Sequence, residues 1–504
     1  MIHRLRLLAL LCALALSLTG CATRRTGESP DEIPLPEPSE EPVNMFLGER
    51  LPARQTNVAL YYAMSDGAVF STVVRGLRAD AGGTLIEAAV NALLNPAGGE
   101  GMYFSTGDTR LLSCEYACGI ATVNLSLDAR SARSEQELLA LTTAIGNTLL
   151  GIEGVRGVNV LIGGRSEDFG QLPSGVQTQV IPSVTASYAQ LQAERDHLLK
   201  QGDLPVTRVA ALYFPTAEGS WLVPELRPVT FRSGDFTLTL IEALKAGPAG
   251  EPCAVASIPA GVELLVPDSG IQILSTGERV LTLNFSTNLS NYLAFSGVEI
   301  WELAGSVALT VCSFLPELDA VRIMVGGEPV TACEIGDSTL SFENGLIQRS
   351  DFADRVGSVV TLYLSAGDGT LQSMRRAVST RGALSPRSLI TELFHYAQGT
   401  GTLSFPVPEA VVPSDILGIQ VERQVARVNL SGNFYRACQL LDPATERALI
   451  YCMVNTLCEL DGIRAVRFYV EGVSADTLAG SIYLKQPLMP NPGIVVATEA
   501  TGEP

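Results

Sequence analysis

The chain has 504 residues, and its 34 Lys and Arg residues against 53 Asp and Glu residues give a formal net charge of −19. Apolar residues make up 46% of the sequence and charged residues 17%, which excludes a disordered, highly charged chain. The acidity argues against nucleic-acid binding, because the release of counterions from phosphates requires clusters of Lys and Arg. At about 100–200 residues per domain, this length predicts roughly three domains with cores of their own.

Residues 1–20 are predicted to be a targeting signal. Arg4 and Arg6 precede an apolar run, Leu7 to Leu18, that is shorter than the roughly 20 residues of a membrane span. The run ends in Leu18-Thr19-Gly20-Cys21, which resembles the lipobox of bacterial lipoproteins. The resemblance implies that Cys21 becomes the N-terminus, carries a diacylglycerol, and anchors the protein on the extracytoplasmic face of the membrane. The alternative is an ordinary signal peptide that happens to precede a cysteine.

Residues 21–55 are predicted to form an acidic, Pro-rich tether. The stretch from Glu32 to Pro42 contains four prolines and four acidic residues, which favour an extended chain and resist collapse. At about 3.1 Å per residue such a tether could reach on the order of 100 Å. It would act as a spacer between the membrane and the folded part, and the alternative is a disordered tail without such a role.

Three motifs recur three times in the same order. Successive copies of the first motif are 152 and 150 residues apart, which indicates repeated domains rather than a solenoid with a period of about 20–50 residues. The motifs are a Leu-Tyr strand (Tyr61, Tyr213, Tyr363), an Asn-x-Ser strand (Asn124, Asn284, Asn429) and a closing strand (from Val158, Val321, Val466). They predict domains at 56–166, 206–330 and 358–474, connectors at 167–205 and 331–357, and a C-terminal tail at 475–504 that is loose from Leu484 onward.

Two helical patterns lie between the motifs of each domain. The first covers Leu85 to Leu94 and its counterparts, and in the third domain Ser385 and Pro386 are a favourable start. The second repeats one apolar face at helical spacing from Leu138. A further short helix is predicted within the first connector, from Tyr188 to Lys200. The fold class is therefore α+β, with three tandem β-α-β-β-α-β sandwiches in which two helices cover one face of a small mixed sheet.

The order of these motifs resembles the GerMN domain, a family named from a sporulation and germination lipoprotein. The resemblance covers residues 56–474, with three units where the namesake is similar to a pair. It implies a non-enzymatic envelope protein whose fold is similar to the ring-building motifs of secretion-type assemblies. The family has no known catalytic residues, so the resemblance implies neither a catalytic site nor a cofactor.

The repeated polar residues have structural and functional interpretations. Each Asn of the Asn-x-Ser strands is expected to bond the backbone of the turn that follows it, rather than to form a ligand site or a glycosylation acceptor. The three motif tyrosines are expected to be half-buried rather than to stack on a ligand.

Eight cysteines remain after Cys12, in the signal, and Cys21. Outside the cytoplasm an even number permits disulfides, and Cys114 and Cys118, which flank a predicted tight turn, are the predicted pair. The alternative is that both are small buried hydrophobic residues. A zinc site is not favoured, because no second ligand pair or histidine lies near them.

The sequence contains little material for catalysis. Its three histidines are His3, in the signal, His197, in a charged connector, and His395, at a predicted helix. No nucleophile elbow, phosphate-binding loop or zinc-protease helix is present. The carboxylates are too numerous for any one adjacent pair to indicate an active site.

The leading hypothesis is therefore a membrane-anchored envelope lipoprotein that acts as a non-enzymatic scaffold in sporulation, germination or envelope assembly. Its expected partners are the membrane and envelope proteins, with self-association as a further expectation. One alternative is a lipoprotein that binds a small ligand or glycan in a pocket lined by aromatic residues such as Trp221, Tyr103 or Phe104. Another is an acidic hydrolase of wall polymers.

Overall fold

The structure, a computed structural model, describes residues 47–50, 55–64, 69–78, 84–96, 107–131, 134–169, 172–201, 205–232, 236–251, 253–266, 269–380, 384–397 and 402–496. The predicted signal, the lipidation residue Cys21 and most of the predicted tether lie outside the described residues. Tyr103 and Phe104 lie outside them as well.

Module 1 combines a two-stranded hairpin, two helices and a four-stranded sheet. Both helices begin at capping boxes: Thr84 Oγ1 accepts a hydrogen bond from the Glu87 amide at 3.2 Å, and Ser134 and Glu137 are arranged in the same way. The elements, after a short strand β1 (Gly48–Arg50), are β2 (Thr56–Ala63), β3 (Phe70–Leu77), α1 (Leu85–Leu94), β4 (Leu111–Ala117), β5 (Ile120–Leu125), α2 (Glu135–Leu150), β6 (Gly157–Ile162), β7 (Arg165–Ser166), β8 (Asp168–Phe169) and β9 (Leu172–Pro173).

Module 2 follows helix α3 (Val184–Gln201), which extends the short helix predicted within the first connector. In the described part of the chain no single helix has the length and hydropathy to cross a membrane, although the helices Leu289–Ser296 and Ile300–Phe314 meet that test as a bent pair. The elements of the module are β10 (Val206–Pro215), β11 (Leu222–Phe231), α4 (Phe236–Ala246), β12 (Gly270–Ile273), β13 (Arg279–Phe285), α5 (Leu289–Ser296), α6 (Ile300–Phe314), β14 (Ala320–Val325), β15 (Glu328–Pro329), β16 (Ala332–Ile335) and β17 (Ser338–Ser341).

Module 3 again combines a hairpin, helices and a second sheet. Its first helix begins as predicted, since Ser385 Oγ accepts a hydrogen bond from the Ser388 amide at 3.1 Å and Pro386 occupies the first turn. The elements are β18 (Gly357–Ser365), β19 (Leu371–Ser379), α7 (Pro386–Phe394), β20 (Ile416–Glu422), β21 (Val425–Leu430), α8 (Gly432–Cys438), α9 (Pro443–Leu457), β22 (Ala465–Val470), β23 (Val473–Ser474) and β24 (Val495–Val496).

The α+β class and the threefold repeat are confirmed, but each module has more strands than predicted, including a partner for each Leu-Tyr strand. The additional strands β3, β11 and β19 pair antiparallel with the Leu-Tyr strands β2, β10 and β18. Each Leu-Tyr strand therefore belongs to a small sheet of its own. The Asn-x-Ser strand lies in a second sheet, between an antiparallel edge strand and the parallel closing strand. A single mixed sheet was the wrong expectation.

The long helix that precedes the closing strand of each module, α2, α6 or α9, lies between the two sheets. In α6 all residues from Trp301 to Phe314 are buried, which a single apolar face does not explain. A threonine near its C-terminal end accepts a hydrogen bond from the amide of the motif tyrosine, and this bond closes the edge of the Leu-Tyr strand opposite its hairpin partner. The three bonds, each of 3.0 Å, are Tyr61 to Thr148, Tyr213 to Thr310 and Tyr363 to Thr456.

After each closing strand the chain returns to pair with that same strand. Val158 exchanges two backbone hydrogen bonds of 2.9 Å with Gln177. Equivalent antiparallel bridges join Val321 to Ile347 and Val466 to Leu488. Segments within the predicted connectors and tail thus cover the sheet of the module that precedes them.

The described part of the tail, 475–496, is packed rather than loose. Leu478 and Leu484 are fully buried. The buried carboxylate of Glu446 on α9 accepts hydrogen bonds from the amides of Leu478, Ala479 and Ser481 at 2.7–3.1 Å. A buried carboxylate requires such donors, so it fixes the tail to the module.

The end of the predicted tether is also ordered. Strand β1 pairs in parallel with β20, the edge strand of module 3, with Glu49 opposite Ile419. The Glu49 carboxylate accepts a hydrogen bond of 3.0 Å from the Arg387 amide in the first turn of α7. Chain that precedes module 1 is therefore attached to module 3.

The threonine bond can be tested with Thr148→Val, which keeps the side-chain shape and removes the acceptor. We expect the free energy of unfolding to fall by about 1–3 kcal/mol, because the Tyr61 amide is left without a partner. Hydrogen exchange read by mass spectrometry should show faster exchange in peptides that contain Tyr61. The matched control is Thr142→Val, since that hydroxyl bonds only to Leu139 within the helix. Equal effects of the two changes would contradict the assigned role.

Candidate functional site

The most elaborate polar arrangement lies where module 1 meets module 2. Glu115, on β4, accepts hydrogen bonds from the Tyr213 hydroxyl at 3.2 Å and from the Arg349 guanidinium at 3.1 Å. Arg349 also donates to Ser313 Oγ at 2.9 Å. The side chains of this cluster are mostly shielded from solvent, and the charges of Glu115 and Arg349 compensate each other inside the interface.

The rest of this interface uses the same face of the module 1 sheet. Thr122 pairs in register with Glu115 and Asn159, and its side chain lies beside the Tyr213 hydroxyl. The Asn159 amide donates to the Ser313 carbonyl at 3.2 Å. We call Glu115, Thr122 and Asn159 the docking face of module 1.

Glu115 and Arg349 are not among the site residues predicted from the sequence. A charged residue among the apolar residues of β4 was the available signal, since an internal strand position seldom carries an unpaired charge. Arg349 lies in a predicted connector, 234 residues away, and no local pattern indicates its role.

Module 3 contacts both other modules. The Cys118 amide of module 1 donates to Ser358 Oγ at 3.1 Å. Arg375 forms a two-pronged ion pair with Glu251 of module 2, with one bond of 2.9 Å. The three modules therefore share one junction.

A cavity of about 1020 Å³ lies at this junction and is lined by residues of all three modules. Arg156, Glu225, Glu251, Arg375 and Asp461 give it a mixed charge, and part of that charge is already paired. Among the described lining residues Tyr116 is the aromatic one. Trp221, which was expected to line a pocket, packs instead against the backbone at Gly357.

A family model described as "Germane: Sporulation and spore germination" matches the chain three times, at residues 59–168, 211–331 and 361–476. The chain belongs to the Germane family. The three matched ranges correspond to modules 1, 2 and 3. Germane domains are not known as an enzyme family.

Solved structures of low sequence identity are similar to parts of this Germane protein. The tandem GerMN domains of the sporulation protein GerM from Bacillus subtilis are 15% identical over 57% of this chain and 98% of that chain, with a TM-score of 0.23. The first GerMN domain of the same protein is 19% identical over 28% and 98%, with a TM-score of 0.22. A putative lipoprotein from Clostridium perfringens is 19% identical over 26% and 87%, with a TM-score of 0.19. No curated protein matches the sequence.

The motif tyrosines of the Germane modules have different surroundings. Tyr61 and Tyr363 are half-buried, as expected, and the Tyr363 hydroxyl donates to Glu459 at 2.8 Å. Tyr213 is fully buried in the interface, where burial and the Glu115 carboxylate raise the pKa of its hydroxyl to about 12. It is therefore a neutral hydrogen-bond donor at every physiological pH.

The repeated asparagines stabilise a turn, although not the turn that follows them. Asn124 Oδ1 accepts a hydrogen bond of 2.7 Å from the amide of Gly164, in the turn after the closing strand. Asn284 bonds Gly327 and Asn429 bonds Gly472 in the same way. Each of these turns has two residues with positive φ, a conformation that favours glycine. The structural interpretation holds, with a different partner.

The predicted Cys114–Cys118 disulfide is not formed, because both residues are free thiols. Cys118 and Gly119 form the two-residue turn itself, while Cys114 lies within β4. Three extended steps separate Cys114 from Ala117 and a fourth leads to Cys118, so the Cα atoms of the two cysteines are at least about 10 Å apart, beyond the roughly 7 Å that a disulfide can bridge. Burial and the nearby Glu87 and Glu115 raise the pKa of the Cys114 thiol to about 12, so it is unreactive.

The described residues contain no group of three or more His, Cys, Asp or Glu that could hold a metal ion. His197 is exposed on α3, and His395 caps α7 with its ring 3.0 Å from the Glu392 carboxylate. His197 lines a cleft of about 320 Å³ with Glu194 and Thr207, and among the described residues neither histidine is hydrogen-bonded to a Ser, Thr or Cys side chain.

One buried carboxylate couples stability to pH. Glu302, at the start of α6, is 1% exposed and accepts a hydrogen bond of 2.8 Å from the Glu299 amide, while its Oε1 atom has no partner. Burial, with a smaller effect of the Glu299 charge, raises the pKa of Glu302 to about 7. The folded state thus retains a proton that the unfolded state has already lost.

The interface pair can be tested with Arg349→Met. It should lower the free energy of unfolding by about 3 kcal/mol, because Glu115 becomes a buried charge without its partner. Adding Glu115→Gln should recover part of this loss. Denaturant unfolding can be followed by tryptophan fluorescence, since Trp221 and Trp301, the two tryptophans of the chain, both lie in module 2.

The matched control for this pair is Arg110→Met. Arg110 pairs with Asp128 at 3.9 Å and is 78% exposed, so its loss should cost less than about 1 kcal/mol. Equal costs for Arg349→Met and Arg110→Met would contradict the buried-pair assignment.

The pH coupling of Glu302 can be tested by measuring the stability of module 2 from pH 5 to pH 8. Stability should fall between pH 4.5 and about pH 7, the unperturbed and the raised pKa of this carboxyl, and then level off. Glu302→Gln should remove this part of the pH dependence. Glu242→Gln, at an exposed position of α4, should retain it. An unchanged profile in Glu302→Gln would contradict the assignment.

Proposed function

We propose that this Germane protein is a lipid-anchored envelope lipoprotein whose modules form a non-enzymatic interaction scaffold in sporulation, germination or envelope assembly. The observation that carries the proposal is the buried Glu115–Tyr213–Arg349 cluster, which joins neighbouring modules. The family description supports the biological setting, and a similar structure is that of a putative lipoprotein.

A scaffold needs surfaces held in a fixed relative orientation. Buried ion pairs and hydrogen bonds impose geometry on an interface more strictly than apolar contact does, because misplaced charges stay uncompensated. Three linked modules also raise the effective concentration of each for a multivalent partner. The family supports a role without catalysis, because Germane domains are not known as an enzyme family.

The proposed anchor would be attached to module 3. Since Gly48 is already held on β20, residues 22–47 remain as the tether between Cys21 and the folded body. At about 3.1 Å per residue this segment reaches on the order of 80 Å. The scaffold would therefore stand away from the lipid surface with module 3 nearest the tether.

The anchor can be tested with Cys21→Ala in cells given a clickable fatty acid. The unmodified chain should be labelled and found in the membrane fraction, whereas Cys21→Ala should be unlabelled and released into the medium. In-cell crosslinking during growth and sporulation should give adducts with envelope proteins that the variant loses. Cys12→Ala, within the signal, is the matched control and should behave like the unmodified chain.

Different outcomes separate the two parts of this proposal. Retention of Cys21→Ala in the membrane would contradict lipid anchoring through Cys21. A labelled, membrane-bound chain that forms no stable adduct at any stage would contradict the scaffold and favour ligand binding.

The junction cavity favours a second candidate function, the binding of a small polar ligand. A ligand there would contact all three modules and would meet Arg156 and Arg375 as well as several carboxylates. Glycans usually need flat apolar surfaces beside polar groups, and a single described aromatic lines this cavity. The scaffold is therefore the better supported function.

A further inference from the structure

Module 2 has an open surface equivalent to the docking face of module 1. In register, Thr282 of β13 corresponds to Thr122, and its neighbours Gly270 and Arg322 correspond to Glu115 and Asn159. We call Gly270, Thr282 and Arg322 the open face. Module 3 does not cover the open face, because its strand β18 contacts β11 of module 2 and β4 of module 1 instead.

The open face lies in a groove of about 860 Å³, also lined by Met324 and Asn344. Gly270 leaves empty the space that the glutamate side chain fills in module 1, and nothing lies within 4 Å of its missing Cβ. On the same edge strand Ile271, which also lines the groove, is 44% exposed. The groove therefore combines open volume with an exposed apolar side chain, a pairing that marks interaction sites.

A buried hydroxyl in this groove has no partner. Thr282 is 4% exposed, and its Oγ1 atom makes no hydrogen bond. The side chain of its counterpart Thr122 lies beside the Tyr213 hydroxyl of the following module. Arg322 likewise forms no ion pair or hydrogen bond with another described residue. A buried hydroxyl without a partner is costly, so a donor or acceptor is missing at this place.

The matching surface is unused on module 1. In the existing interface module 2 presents Tyr213 together with Leu226, which approaches Gly157. The residues in the same register of the module 1 hairpin are Tyr61 and Val74. The Tyr61 hydroxyl has no hydrogen-bond partner among the described residues, and Val74 is 67% exposed.

Module 3 cannot supply this surface equally well. Its corresponding residues are Tyr363, whose hydroxyl already donates to Glu459, and Arg375, which is paired with Glu251. The chain thus carries one unused tyrosine surface and one unused threonine face, each equivalent to one half of an interface that it already forms internally.

We infer that the open face of module 2 binds the Tyr61–Val74 hairpin surface of a second copy of this chain. The Tyr61 hydroxyl enters the groove beside Thr282 and Arg322, as Tyr213 meets Thr122 and Glu115 within one chain. The contact joins two different surfaces, so it is head-to-tail and extends beyond a dimer unless the rotation closes a ring. This inference rests on the proposed scaffold function and names its partner.

The test measures association of the full lipidated chain in detergent by analytical ultracentrifugation. The unmodified chain should form assemblies that grow with concentration. Tyr61→Ala should weaken association about 30-fold, the loss expected for a central tyrosine. Val74→Lys, at an exposed site where folding is not at risk, should also weaken it. Tyr363→Ala, at the equivalent tyrosine of module 3, is the matched control and should associate normally.

A mixing experiment decides the geometry. Met324→Arg blocks the groove and leaves Tyr61 intact, while Tyr61→Ala leaves the groove intact. At a concentration just sufficient to assemble the unmodified chain, each variant alone should stay monomeric, but an equimolar mixture should form dimers and nothing larger. Monomers at all concentrations of the unmodified chain, association of either variant alone at that concentration, or a mixture without dimers would overturn the inference.

The partner can be identified in cells with a photo-crosslinking amino acid at Met324. A covalent adduct of two copies of this chain supports the inference, and an adduct with another protein alone overturns it. The anchor experiment reads lipid labelling and location, whereas these experiments read association. A failure of one is therefore distinguishable from a failure of the other.

Discussion

The edge of the Leu-Tyr strand is the constraint on which each module depends. A two-stranded hairpin leaves two open edges, and such a hairpin is only marginally stable alone. The long helix before the closing strand (α2, α6 or α9) closes one of these edges, because a buried threonine on it accepts a hydrogen bond from the tyrosine amide. To do so, the helix must lie between the two sheets. That position explains why the helix is apolar on nearly all sides. It also ties the hairpin to the larger sheet, so neither part is independent of the other.

The same sheet face serves different purposes in the three modules. In module 1 it carries Glu115 and meets module 2, whereas in module 3 it carries the Arg427–Glu422 ion pair and lies near the returning tail. In module 2 a glycine occupies the glutamate position and leaves a groove. A common backbone with different side chains at a few register positions thus determines which modules contact each other. Repeated folds can diversify their contacts in this way without changing their cores.

The repeats, the helices and the α+β class could be predicted because they depend on apolar periodicity within short windows. The strand β19 was missed, since Gln372, Ser373, Arg375 and Arg376 give it a polar pattern typical of a loop. The returning segments were read as connectors because a single bridge such as Val158–Gln177 leaves no periodic signal. The cluster at Glu115 could not be predicted, since it depends on how whole modules are placed. The disulfide was wrongly expected because sequence spacing does not give the position of a turn to within one residue.

The pairing of β1 with β20 also determines how a mechanical load would travel through the molecule. A pull on the chain upstream of Leu47 reaches the three-residue ladder on module 3 before it reaches β2 of module 1. While that ladder holds, tension passes into module 3 and leaves the hairpin of module 1 unstressed. Once the ladder separates, the same tension acts on the strand that contains Tyr61. Strand β1 is therefore the first contact to separate under load. Because its ladder has three residues, a low force is enough to release it.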